Sequence, residues 1–239
     1  MPGQGVTPSA RPPLSRQTVF VVVAAFNEAK TIRGVAEGLL REYPNVVVVD
    51  DGSTDGTSAC LHNTGVHLVR HIINRGQGAA LQTGIEFCLR LGADVVVTFD
   101  ADGQHDEKDI RALIGPILSG ECDVTLGSRF LGRAHNIPFT RKILLRAGVL
   151  FTRFVSQIRI TDVHNGLRAF SRAAASSLRI SMDRMAHASE ILDQIKKAKW
   201  RYKEIPVTIY YSPYSLTKGQ SSLNALKIAS QVLIKRLAK

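Results

Sequence analysis

At 239 residues, 44% hydrophobic and 21% charged, the chain suits one well-buried globular domain and is too short for two full ones. No apolar run approaches the ~20 residues of a membrane span, the N-terminus lacks a signal-peptide core, and Cys60, Cys88 and Cys122 are odd in number without metal-type spacing, as in a reduced, cytosolic compartment. The net charge of +11 is unevenly divided: residues 1–128 hold 10 Lys and Arg against 15 Asp and Glu, residues 129–239 hold 21 against 5, so a basic half suited to phosphates of nucleotide, nucleic acid or anionic lipid follows an acidic one.

Residues 1–16, rich in Pro, Gly, Ser and Arg, read as a disordered leader. Thr18–Ala25 is a continuous β-branched and apolar run, the pattern of a parallel strand buried on both faces, and it stops at Phe26-Asn27-Glu28. Ala29–Arg41 carries Ile32, Val35, Leu39 and Leu40 at helical spacing. A second strand, Asn45–Val49, ends in Asp50-Asp51-Gly52-Ser53-Thr54-Asp55-Gly56-Thr57, where Ser53 or Thr54 would cap the following helix. A short third strand, Val66–Val69, leads to the tight turn Asn74–Gly78 and a helix through Leu91. The next strand, Val95–Phe99, runs into Asp100-Ala101-Asp102-Gly103-Gln104-His105. Helix 106–118 and a fifth strand, Asp123–Gly127, ending in Ser128-Arg129, follow.

Strands alternating with helices, without a hairpin signal, predict an α/β fold with a mostly parallel, doubly wound sheet and helices on both faces. Asn27/Glu28, Asp50/Asp51 and Asp100/Asp102 then converge on the carboxyl edge of that sheet, where open α/β folds bind ligands. Asp100 and Asp102 are hard oxygen ligands whose mutual repulsion a divalent cation relieves; a solvated polar turn after a core strand would carry the same residues. Neither a G-x-G-x-x-G after the first strand nor a P-loop is present, which argues against dehydrogenase and P-loop NTPase chemistry. No nucleic-acid recognition motif or basic–aromatic pattern accompanies the basic half, so nucleic acid is not an expected partner.

Four segments in this order, Ala24–Glu28, Val49–Thr57, Asn74–Gly78 and Phe99–His105, resemble the inverting family 2 glycosyltransferases with the GT-A fold. Gly127-Ser128-Arg129-Phe130 and Asp162–Phe170 (DVHNGLRAF) resemble the dolichol-phosphate mannose synthase-like branch, which transfers a sugar from a nucleotide donor to polyprenyl phosphate. The likeness runs from Thr18 to Leu237. It implies a GT-A catalytic domain over 17–220 with a basic acceptor side. Ala24, Asn27, Glu28, Asp50, Asp51 and Ser53 would border the nucleoside, and Arg75 and Gly76 would line the donor channel. Asp100, Ala101 and Asp102 would face the diphosphate, with Mg²⁺ or Mn²⁺ held by Asp100, Asp102 and Gln104. A UDP-sugar is favoured over a GDP-sugar.

The resemblance also implies that Asp102, Arg129 and Glu190 are catalytic. A hydroxyl acceptor needs a base, which Glu190 could be, whereas a phosphate acceptor is already an anion and needs positive charge. Arg129, Arg141, Lys142, Arg146 and Arg168 would hold that phosphate. The competing reading is a family 2 enzyme with a saccharide hydroxyl acceptor in cell-surface polysaccharide synthesis. His105 and His164 read as structural histidines or diphosphate contacts, and Phe130, Phe170, Trp200, Tyr210 and Tyr211 as core or strand-face aromatics.

A polyprenyl phosphate lies in the bilayer, so the enzyme is expected in the cytoplasm, held peripherally at the membrane. Ile143–Val155 is apolar with Arg146 and Arg153 but too short to span, and 221–239 is a basic amphipathic helix. Either suits an anionic membrane surface or a small membrane subunit, and the second would equally pack on its own domain. Residues 211–221 resemble the family's mobile loop, with Lys218 toward the donor phosphates.

Overall fold

The computed structural model describes residues 18–156, 158–182 and 186–213. The expected leader, the Lys218 loop and the C-terminal helix at 221–239 lie outside the described residues. In chain order the elements are β1 (Val19–Ala25), α1 (Ile32–Leu40), β2 (Val46–Asp50), α2 (Thr57–Cys60), β3 (His67–Arg70), α3 (Gln77–Arg90) and β4 (Val95–Asp100). There follow α4 (Asp109–Leu118), β5 (Val124–His135), α5 (Phe139–Ser156), β6 (Arg168–Ser171), α6 (Arg172–Ser177), α7 (Ala186–Lys197) and β7 (Tyr202–Tyr210).

The strands form one sheet in the order β3-β2-β1-β4-β6-β5-β7. β1 pairs in parallel with both β2 and β4, with Ala25 opposite Asp50 and Ala24 opposite Asp100, so the three acidic strand ends do lie side by side. β1, β2 and β4 are buried on both faces because each face is covered by helices. Val21 and Val23 join a core built with Ile32, Ala36 and Leu39 of α1 and Ile110 and Leu113 of α4. Phe20 and Val22 join the opposite core with Leu81 and Ile85 of α3 and Ile191 and Ile195 of α7.

Two features depart from the expected elements without overturning the mostly parallel sheet. β6 runs antiparallel to β4 and β5, inserted between them. Its four residues, Arg168-Ala169-Phe170-Ser171, are too few for a periodicity and begin with a buried arginine. β5 continues beyond the expected Gly127 to His135, paired with β7 across an irregularity between Ser128 and Arg133. The helix after the acidic turn starts differently: its N-cap is Gly56, not Ser53 or Thr54, with no side-chain cap, and Asp55 just before it accepts from the Thr57 backbone N–H at 3.0 Å.

Candidate active site

The ends of β1 and β2 form one hydrogen-bonded platform. Asn27 takes a left-handed backbone, φ 55°, its N–H donates to Ser53 Oγ at 2.9 Å, and its side-chain oxygen accepts from Thr54 N at 2.9 Å. Glu28 N donates to Thr57 Oγ1 at 2.8 Å, and Thr31 Oγ1 donates to Glu28 Oε2 at 3.0 Å. The paired acids Asp50 and Asp51 divide their work. Asp50 is wholly buried and its carboxylate is taken up by Ser53 N and Ser58 Oγ, with Arg70 at 3.7 Å. Expected to border the nucleoside, it braces the turn that leads to Ser53.

Asp51 holds the neighbouring loop. Its Oδ1 accepts from Arg75 N at 2.9 Å and pairs with His71 Nδ1 at 2.7 Å, while Oδ2 accepts from Gly76 N at 2.7 Å. Gly76 sits at φ 92°, where a side chain would be strained, and begins α3. His71 Nε2 contacts Thr83 Oγ1 at 3.0 Å, tying this loop to α3. Arg75 is exposed and lines a groove of about 500 Å³ with Gln82, Thr83, Glu86 and Ser181 along α3. That groove flanks the platform; Asp100, Asp102 and Arg129 do not line it.

At the end of β4, Gln77 Nε2 donates to Asp100 Oδ1 at 3.2 Å and His105 Nε2 donates to Asp100 Oδ2 at 2.9 Å. Burial pushes the Asp100 carboxyl up, but the His105 hydrogen bond and the charges of His105, His187 and Arg129 prevail and hold it below its ordinary range. Asp102 has the opposite balance. Burial first, then the Asp100 charge, push its carboxyl up to about 6, despite His105 and the Gln104 N–H that donates to it at 3.1 Å. Ala101 between them is buried.

Two neighbouring carboxylates, one ionised and raising the cost of ionising the other, suit a divalent cation. Among the described residues no group of three or more His, Cys, Asp and Glu could hold a metal unaided. Mg²⁺ and Mn²⁺ commonly take one or two carboxylates and complete their shell with water and substrate phosphate, so Asp100 and Asp102 fit such an ion. Gln104 is held by backbone bonds at both ends: its carbonyl accepts from Tyr210 N at 2.8 Å, while its side-chain Nε2 is buried without a hydrogen-bond partner.

Cations surround this pair. Arg168 is buried, with Nε on Asn165 O at 3.1 Å, NH2 on Val163 O at 2.9 Å and NH1 unpartnered. Burial lowers its guanidinium to about 10 against the pull of Asp100 and Asp162. Burial likewise lowers His164 to about 4, with Arg129, Arg168 and His187 adding repulsion against the pull of Asp162. The five buried side-chain atoms without partners among the described residues belong to Gln104, His105, His164, Asn165 and Arg168. They come from the turn after Asp100 and from the segment 164–168 that enters β6. Gly166 sits against the Asp100 carboxylate so closely that a Cβ there would clash with it.

Arg129 is buried beside Asp162, with Nε to Oδ2 at 2.6 Å, while its NH1 donates to the Tyr211 hydroxyl at 2.5 Å. Its pKa is raised: the charges of Asp162 and Tyr211 outweigh burial, which lowers it. Thr161 N, Thr161 Oγ1 and Asp162 N all donate to Glu204 Oε1, at 2.7, 2.8 and 3.2 Å, so β7 fixes the segment that holds Arg129. Arg141 lies over the Tyr211 ring at 5.2 Å, which links it to Arg129. Arg146 lies over the Phe130 ring at 5.9 Å. Tyr211, expected to be a packing aromatic, is a polar anchor of the site; its hydroxyl on a buried ring was the available signal.

Glu190, expected to be catalytic, is engaged by the neighbouring segment. Its Oε2 accepts from Ser181 N at 2.9 Å and Met182 N at 2.8 Å, and its Oε1 from Ser181 Oγ at 2.5 Å. The carboxylate pins residues 181–182 to α7 instead of standing ready as a base. Ala24, opposite both Val49 and Asp100, forms the platform floor.

Comparison with known proteins shows the family and the fold. The Glycosyl transferase family 2 profile matches residues 20–179. The UDP-N-acetylglucosamine–dolichyl-phosphate N-acetylglucosaminyltransferase of Methanococcus voltae is 32% identical over 95% of this chain and 99% of its own. The polyprenol monophosphomannose synthase of Mycolicibacterium smegmatis is 30% identical over 75% of this chain and 70% of its own. The fold matches glucosyl-3-phosphoglycerate synthase from Mycobacterium tuberculosis, solved with Mn²⁺, UDP-glucose and phosphoglyceric acid, at a TM-score of 0.72 and 18% identity, covering 96% of this chain and 85% of that one. The chain thus has a GT-A fold and is a glycosyltransferase belonging to family 2, in the branch similar to enzymes named for polyprenyl phosphate acceptors.

Proposed function

We propose that this enzyme transfers a hexose, with inversion, from a nucleotide-diphosphate sugar to polyprenyl phosphate at the cytoplasmic face of a membrane. The observation that carries the reading is the site's composition: two carboxylates at the end of β4 beside buried cations and unpartnered donors, with no free base at Glu190. A phosphate acceptor needs no base, since its oxygen already bears the charge that attacks the anomeric carbon. The glycosyl–oxygen bond breaks as the new one forms, and the nucleoside diphosphate leaves with the electron pair.

In this reading Ala24, Asn27, Glu28, Asp51 and Ser53 shape the nucleoside platform, with Arg75 and Gly76 at its rim. Mg²⁺ or Mn²⁺ held by Asp100 and Asp102, with Gln104 beside them, would neutralise the departing diphosphate. Arg129 and Arg168 draw the acceptor phosphate toward the sugar. Arg141 supports Arg129 through Tyr211, and Lys142 and Arg146 supply attraction from α5. A UDP-sugar is the favoured donor, in keeping with the UDP in the names of a relative and a structural neighbour. Among the described residues no helix is long and apolar enough to cross a membrane. The enzyme would therefore meet its lipid from the surface, alone or on a small membrane subunit.

The test is transfer of radiolabel from a panel of UDP- and GDP-sugars into organic-extractable lipid, with Mg²⁺ or Mn²⁺ and polyprenyl phosphate. Metal-dependent label that is lost in Asp102→Ala is the expected result and names the donor. Donor hydrolysis without labelled lipid would replace this reading with the saccharide-acceptor one.

A further inference from the structure

The helix α5 has two apolar faces, where a surface helix of a globular protein has one. Leu145, Val149 and Thr152 are buried against the domain. At about 100° per residue, Phe139, Ile143 and Leu150 fall together on another stripe, and they are 76%, 53% and 66% exposed. Nothing among the described residues covers them. Arg146 lies within that stripe, and Lys142 and Arg153 flank it. Arg141 turns away from the stripe, over Tyr211, while the Arg146 guanidinium lies over Phe130 and Arg153 Nε donates to Ile160 O at 2.6 Å.

The segment that carries this stripe has charge of one sign, although Arg129 within it is buried against Asp162. Residues 124–161 contain seven Arg and Lys and no Asp or Glu. An acid-free segment with a solvent-facing apolar stripe is what an anionic bilayer surface selects. The apolar side chains enter the acyl boundary, and the long basic side chains reach the head groups while their stems stay apolar. A second protein copy would meet the same strongly positive surface and be repelled.

We infer that the outward face of α5, with Phe139, Ile143 and Leu150 as its inserted side chains, is the surface by which this enzyme docks on an anionic lipid bilayer. The inference rests on the reading of the acceptor as a polyprenyl phosphate, and it gives α5 a geometric task. The inward Arg141 faces Tyr211 and Arg129 while the opposite side rests on lipid, so the head group of an acceptor in the same bilayer lies close to the site.

The test uses the full chain and sedimentation with extruded vesicles of phosphatidylcholine alone or mixed with phosphatidylglycerol, free of polyprenyl phosphate. Wild type should sediment with the mixed vesicles and not the neutral ones. The triple variant Phe139→Gln/Ile143→Gln/Leu150→Gln should lose on the order of tenfold or more in binding. All three side chains are exposed, so its melting temperature should match wild type. Its transfer to a short-chain polyprenyl phosphate in detergent should also be retained. Unchanged vesicle binding by the variant would overturn the inference, as would unchanged binding with a halved mass in solution, which would make this face a contact between copies. Absence of transfer by wild type in detergent would instead sink the acceptor reading, and the vesicle comparison would still decide the docking surface.

Discussion

Replacing Asp162 by Asn tests whether the cationic side of the site is held by a buried ion pair. The Arg129 and Asp162 side chains are 6% and 1% exposed, and the carboxylate oxygen receives both Arg129 Nε at 2.6 Å and Arg129 N at 3.1 Å. Removing one partner of a buried pair costs about 3–5 kcal/mol, because the remaining charge is left desolvated. Asn keeps an oxygen for one hydrogen bond, so about 3 kcal/mol is expected. For a domain of this size that lowers Tm by about 6–12 °C. Calorimetry or far-UV circular dichroism melts read this directly, and Arg129→Met with the double variant completes a thermodynamic cycle. The double variant should lose less than the summed single losses by about 2 kcal/mol, since no unpaired charge then remains. Transfer should fall by on the order of 10²-fold in Asp162→Asn through misplacement of Arg129. A melting temperature within about 2 °C of wild type, or a coupling near zero, would refute the ion-pair reasoning.

Gly166→Ala should displace the Asp100 carboxylate, because the added methyl occupies its place. Transfer and Mg²⁺ affinity should both drop by on the order of tenfold or more, while far-UV circular dichroism stays native; a variant with wild-type metal affinity would show that the loop yields instead. His164 should make the fold acid-sensitive. Its folded pKa of about 4 lies below the unfolded value of 6.5, so the unfolded chain binds the proton first and stability declines as pH falls from 6.5 toward 4. The loss relative to His164→Gln is about 3 kcal/mol, measured by denaturant melts of both proteins across that range. Asp102 works in the opposite sense, since its raised pKa favours the folded state at low pH, but it is present in both proteins and cancels. Parallel stability curves would show that His164 is solvated.

Much of this molecule was legible before folding. Val19–Ala25, Val46–Asp50 and Val95–Asp100 are runs of β-branched residues that only a doubly covered sheet can bury, so their identity as inner strands follows from composition alone. Acids placed at the ends of parallel neighbours must share one edge, and that places Asp51, Asp100 and Asp102 together whatever the details of packing. The ordered motifs were specific enough to indicate the family. Position along a strand and residue chemistry are both local properties, and a sequence carries them openly.

What tertiary structure decided is which charged group is spent on the protein itself. Asp50 and Asp51 are adjacent and chemically identical, yet one is consumed by its own turn and the other holds the loop of Arg75 and Gly76. Glu190 has the chemistry of a base and is used to fasten residues 181–182. Arg129 meets Asp162 33 positions away and Tyr211 82 positions away, pairings that depend on β5, β6 and β7 lying side by side at the edge of the sheet. Even α5, whose cations were evident, needed the fold to show that Arg141 turns inward while Phe139, Ile143 and Leu150 face out. A side chain's type limits what it can do, but its partners come from segments brought together only by packing, and those partners determine which of its possible roles it performs.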